Sequence, residues 1–140
     1  MIRLLLASFI CALSVANAAQ AQMSDVPSFD TNGDFASARV QGNRGTYPHW
    51  QWLVVAADEE GLNCRNVDGS VVVTLAYGAV VDSVFASGDA IEWVNDQPWL
   101  QVSASVMDLR RRVVDEIAVA YTCYVRANKT YIAPINPDTQ

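Results

Sequence analysis

An all-β fold, a small sandwich or barrel, is what this chain of 140 residues predicts. Two observations carry that reading. From Trp50 onward, short runs of β-branched and aromatic residues are separated by turn signals roughly every ten residues. Two cysteines, Cys64 and Cys123, remain after the first is assigned to a removable leader, and an even count in an oxidising compartment reads as a disulfide.

The leader is residues 1–21, "MIRLLLASFICALSVANAAQA". Arg3 precedes an apolar run, and Ala-x-Ala patterns follow at 16–18 and 19–21, the three parts of a secretory signal. The run is shorter than the roughly 20 residues a spanning helix needs. Bulky Phe9 and Ile10 before Cys11 argue against a lipid anchor. A secreted or periplasmic protein with no stable membrane insertion after cleavage is expected. Loss of Arg3 moves the net charge from −6 to −7. That acidic balance argues against nucleic acid as a partner. Arg110-Arg111-Arg112, flanked by Asp108, Asp115 and Glu116, reads as a solvated face.

Residues 22–49 are polar and rich in Gly, Asn, Asp and Ser, with no sustained apolar period, so a linker or disordered arm is expected. Asp30-Thr31-Asn32-Gly33-Asp34 superficially resembles a calcium loop. Its glycine is fourth rather than sixth, and Gln41 stands where the twelfth-position glutamate belongs. A tight Asx-rich turn is the better reading.

The folded domain is expected over 50–136. "WQWLVVAA" (50–57) precedes the turn Asp58-Glu59-Glu60-Gly61. Val71 to Leu75, "AVVDSVFA" (79–86), Ile91 to Val94 and "WLQVSASV" (99–106) follow, with turns at Tyr77-Gly78, Ser87-Gly88-Asp89 and Asn95-Asp96-Gln97-Pro98. Residues 106–121 fit two patterns. Val106, Leu109, Val113, Ile117 and Tyr121 share a helical face, with Asp108 as a cap. Equally, Leu100, Val102, Ala104 and Val106 alternate, as do Ile117, Val119, Tyr121 and Cys123, which makes a hairpin turning near 110–112. An inserted hairpin or helix before the last strands is therefore expected, with the hairpin slightly favoured. Asn128-Lys129-Thr130 matches a glycosylation sequon but reads as the turn before the last strand.

From Trp52 to about Pro134 the chain resembles the bacterial SH3-like domain, as found in short secreted proteins of cyanobacteria. Leu62-Asn63-Cys64-Arg65 resembles the opening Leu-Asn-x-Arg signature. Val72 to Gly78 looks like the strand and turn that follow. Trp99-Leu100-Gln101-Val102 looks like the later tryptophan strand, and Tyr124-Val125-Arg126-Ala127 like the closing motif. Asn66-Val67-Asp68-Gly69 departs from the family's Ser-Gly-Pro turn, and the spacing from Trp99 to Val125 implies an insertion. The resemblance implies a small SH3-like barrel whose first and last segments are neighbours, bringing Cys64 and Cys123 within disulfide range. Closing a loop of about 60 residues stabilises by about 4 kcal/mol on the chain-entropy model.

Chemistry is sparse. A cysteine nucleophile needs a base, and the one histidine, His49 in "TYPHWQW", reads as a surface residue beside proline. Two cysteines and one histidine leave a zinc site incomplete. Asp58-Glu59-Glu60 reads as a solvated turn, and serine-hydrolase and phosphate-loop motifs are absent. SH3-like domains accompany cysteine endopeptidases of the cell wall, but the 140 residues leave no length for that catalytic module. A non-enzyme without cofactor or metal is expected. Trp52, Trp99 and Tyr131 are expected chiefly in the core. Trp93 leads the candidate ligand contacts, followed by Tyr77, Trp99 and Tyr124. The expected partner is a peptide, a peptidoglycan fragment or an envelope protein. The alternatives are a structural or inhibitory protein acting through its insertion or arm and, last, a minimal hydrolase.

Overall fold

The alternation of apolar residues sets the strands, and their pairing follows in the computed structural model, which describes residues 25–105 and 120–136. Among the described residues ten strands run in chain order: β1 (Arg39–Gly42), β2 (Gly45–Pro48), β3 (Gln51–Val54), β4 (Leu62–Arg65), β5 (Val71–Leu75), β6 (Val80–Ser83), β7 (Ile91–Val94), β8 (Gln97–Ser105), β9 (Ala120–Arg126) and β10 (Ile132–Pro134). The described residues contain no helix, so the all-β expectation holds for them. β1 and β2 form a separate hairpin. The other eight form one antiparallel sheet, β10-β3-β6-β8-β9-β4-β5, with β7 also on β8.

The nine-residue β8 organises this sheet. One edge pairs with β7 from Gln97 to Leu100, then with β6 at Val102 and Ser103, while the other edge pairs with β9 from Trp99 to Ser105. Leu100, Val102 and Ala104 point inward and are fully buried, as are Cys123 and Val125 on β9. The hairpin pattern expected for these strands is present as far as Ser105↔Ala120. The choice between helix and hairpin for 106–119, and the Arg110–Arg112 cluster, lie outside the described residues. The β7–β8 turn is the two-residue type that Asn95-Asp96 favours, with φ of 50° and 58°. Gly61 (φ 82°) is needed twice over, because a Cβ there would lie 2.6 Å from the Leu75 carbonyl oxygen.

The expected closed barrel is corrected to an open sheet. Closure requires the end strands to hydrogen-bond with a staggered register. Among the described residues β5 pairs only with β4, and the three-residue β10 pairs only with β3 and ends at Pro134. The expected neighbours do meet. β4 joins β9 through Arg65↔Tyr124, and beside that pair Cys64 and Cys123 form a buried disulfide with Cα atoms 5.5 Å apart.

Residues 25–49 also differ from the loose arm their composition suggests. Phe35 is buried edge-to-face against Trp52, with centroids 5.0 Å apart, and Ala38 is buried with it. Burying a phenylalanine side chain stabilises by about 1.5–3 kcal/mol. Asp30 closes the expected Asx turn by accepting from the backbone N–H of Asn32 (2.8 Å) and of Asp34 (2.9 Å). Asp34 then pairs with Arg126 at 2.8 Å and accepts from Asn128 Nδ2 at 2.7 Å. Asp89 accepts from Ser37 Oγ and from the Ala38 N–H. The polar residues that made the segment look like a linker are the ones that dock it. Asn128 is buried in this network, its Oδ1 capping the Thr130 N–H, so the sequon is a turn.

Candidate binding groove

On β8, the inward set Leu100, Val102 and Ala104 forces Trp99 and Gln101 to the outer face. On β9, inward Cys123 and Val125 do the same for Tyr124. The register places Gln101 opposite Tyr124 and Glu92 opposite Trp99, so Trp99, Tyr124 and Glu92 are outer-face neighbours. With Val94, Gln97 and the Arg65–Gly69 turn they line a groove of about 420 Å³. Arg65 Nη1 donates to the Gly69 carbonyl at 2.9 Å and stiffens that wall. Asp68 accepts from Ser70 Oγ at 2.5 Å, and this hydrogen bond holds its carboxyl below the usual range. Partial burial pushes the Tyr124 phenol up, and the Glu92 carboxylate adds to the shift. The groove therefore offers two aromatic rings beside the Glu92 and Asp68 carboxylates and the Arg65 guanidinium.

Of the four candidate contacts, the structure brings Trp99 and Tyr124 together and separates the other two. Trp93 (53% exposed) pairs with Pro98 on the opposite face of β7 from Glu92. Tyr77 (70% exposed) lines a different cleft with Asp58, Glu59 and Glu60. Trp52 takes its expected core position and donates from Nε1 to Ser83 Oγ at 2.8 Å. Trp99 and Tyr131, expected chiefly in the core, are corrected to half-buried and exposed positions. Trp99 has the wrong parity on β8, and Tyr131 sits in the turn before β10.

Of the residues carrying the family resemblance, Arg65, Trp99 and Tyr124 line the groove, and others serve the scaffold. Leu62, Val125 and Ala127 are buried. Asn63 accepts from Thr74 Oγ1 at 3.2 Å, Gly78 turns the chain at φ 83°, and Arg126 Nη1 also donates to the Pro98 carbonyl at 3.0 Å.

Reactive chemistry is limited by what these side chains are already doing. Both cysteines of the described residues are committed to the disulfide. His49 is not the surface residue its neighbour Pro48 suggested. It is 6% exposed at the foot of the β1–β2 hairpin, its ring edge-on to Trp52 at 5.1 Å. Its Nε2–H donates to the Gln51 carbonyl at 2.8 Å, and burial lowers its pKa. No cluster of three or more His, Cys, Asp or Glu placed to hold a metal occurs among the described residues.

Sequence reasoning passed over Tyr47 and Trp50, exposed aromatics beside a larger trough at the hairpin. The signal was available in Gly42-Asn43-Arg44-Gly45, a turn between two short β-prone runs. No family model, curated protein or solved structure matches the chain.

Proposed function

We propose that this is an exported, non-catalytic binding module of SH3-like type whose groove takes an extended peptide segment, free, within the cell wall or on an envelope protein. The convergence of Trp99 and Tyr124 beside Glu92 carries the reading. Extended segments are recognised by shallow aromatic grooves on β-rich modules. Tryptophan and tyrosine supply large contact area at little entropic cost, and the groove falls in the roughly 300–1,000 Å³ range of ligand sites. The leader-like residues 1–21 and the buried disulfide support export.

The test is retention of the chain lacking residues 1–21 on purified peptidoglycan and on its immobilised stem peptides, with soluble fragments assayed alongside. The expected outcome is retention without fragment release, weakened by about thirtyfold in Trp99→Ala, as for a central aromatic contact. Trp93→Ala, on the other face of β7, retains binding. Fragment release would favour a hydrolase, and undiminished binding by Trp99→Ala would remove the groove from the account.

A further inference from the structure

A trough of about 870 Å³ lies away from the Trp99 groove, between the β1–β2 hairpin and the Gln51–Asp82 end of the β3–β6 pair. Two exposed aromatics stand in it, Tyr47 (48% exposed) and Trp50 (54% exposed). Both are held in place. The Tyr47 ring lies directly over the backbone of Gly42, where a methyl group would be 2.6 Å from Cε2. Trp50 packs edge-to-face on Phe85, with centroids 5.1 Å apart, and its carbonyl accepts from the Ser83 N–H at 2.7 Å. Phe85 is covered in turn by the Arg39 guanidinium, 5.0 Å from the ring centroid, and Arg39 Nη2 donates to the Gly88 carbonyl at 2.8 Å. Leaving two large rings fixed and exposed forgoes burial that a core would gain, and a fixed ring loses little entropy on binding.

The rest of the lining selects the ligand. Gln41, Asn43, Gln51 and Asp82 supply amides and a carboxylate, and among the described residues no Lys or Arg lines the trough. Of the described lining residues Asp25 and Asp82 carry the charge, and they would repel an anion. Gln41 is engaged by Thr46 Oγ1 and the Gly42 carbonyl, but a purely apolar ligand would still strip water from the Asp82 carboxylate and the Asn43 amide. A molecule with flat C–H faces and hydroxyl groups around its rim satisfies both the rings and the planar polar groups. We infer that this trough is a carbohydrate-binding site, with Tyr47 and Trp50 as stacking platforms for a short neutral oligosaccharide. The inference does not depend on the Trp99 groove.

Titration of the oxidised chain lacking residues 1–21, ¹⁵N-labelled, with cellohexaose and with N-acetylchitohexaose tests it. At least one sugar is expected to bind saturably, with amide shifts centred on 40–51 and 82–83. Trp50→Ala is expected to weaken that binding by about tenfold or more. Gly42→Ala, which displaces Tyr47 without removing an aromatic group, is expected to weaken it as well. Val72→Ser, on β5, leaves it unchanged. Amide spectra of each variant establish that it is folded. The site is overturned if neither sugar binds, if shifts centre elsewhere, or if folded Trp50→Ala and Tyr47→Ala bind as wild type. Saturable binding of hexalysine at 40–51 in place of both sugars would also overturn it, reassigning the trough to cations.

Discussion

The β4–β8–β9 region and the segment 25–49 present aromatic surfaces of similar chemistry on supports of different kinds. Trp99 and Tyr124 stand on a continuous ladder whose inner face is buried and whose β4–β9 seam is closed by Cys64–Cys123. Tyr47 stands on a two-stranded hairpin that pairs with no other strand of the described residues. Around it the segment is tied in by Phe35, Ala38, His49 and the carboxylates of Asp34 and Asp89. The first support is covalent and cooperative, and the second rests on a few anchors. Such regions open at lower free energy than the core they dock on. The groove should survive perturbations that loosen the trough.

The largest expected effect attacks the first support. Replacing both cysteines with serine should lower stability by about 4 kcal/mol on the chain-entropy model, read as a fall in Tm of about 15 °C or more. In the chain lacking residues 1–21, denaturation without reductant should expose no titratable thiol. Two thiols would mean that the seam is not covalent.

Phe35→Ala attacks the second support and should cost about 3 kcal/mol, the low end for phenylalanine truncation, because the segment can relax locally. Amide hydrogen exchange separates the regions. Residues 38–49 should lose protection more than β8 and β9. Equal loss in both would show one cooperative unit and dissolve the contrast.

The smallest effect is the pH response of His49. Its pKa is lowered from 6.5 by burial, so the unfolded chain binds more protons between the folded value and 6.5. Stability from this group is complete above 6.5 and is lost as pH falls from there through the folded pKa. His49→Gln should flatten that slope relative to wild type, with urea midpoints compared at matched pH. A slope unchanged by the substitution would show that His49 does not set it.

The legibility of the chain follows the same division. From Trp50 onward most strands were readable because β-branched runs and turn residues recur, and the cysteine pairing followed from their number, but Leu62–Arg65, with no β-branched residue, was reached only through the resemblance. Parity also held more than was drawn from it. Leu100, Val102 and Ala104 facing inward already places Trp99 outward, so its expected core position conflicted with the alternation of its own strand. Phe35 was illegible for the opposite reason, since a lone aromatic among polar residues has no period and its partner Trp52 is distant in sequence. Openness of the sheet was equally hidden, because closure depends on whether β5 and β10 meet, which local patterning does not encode. The glycine-bounded turn at 42–45 was visible, but the trough it helps form exists only once the hairpin packs beside β3 and β6.

The most direct measurement for the proposed groove is amide-shift mapping of the oxidised protein during titration with soluble peptidoglycan stem peptides. The account predicts saturable shifts confined to 65–69, 92–97, Trp99 and Tyr124, with the peptide recovered intact. Shifts absent from those residues, or a peptide cleaved during the titration, would contradict it.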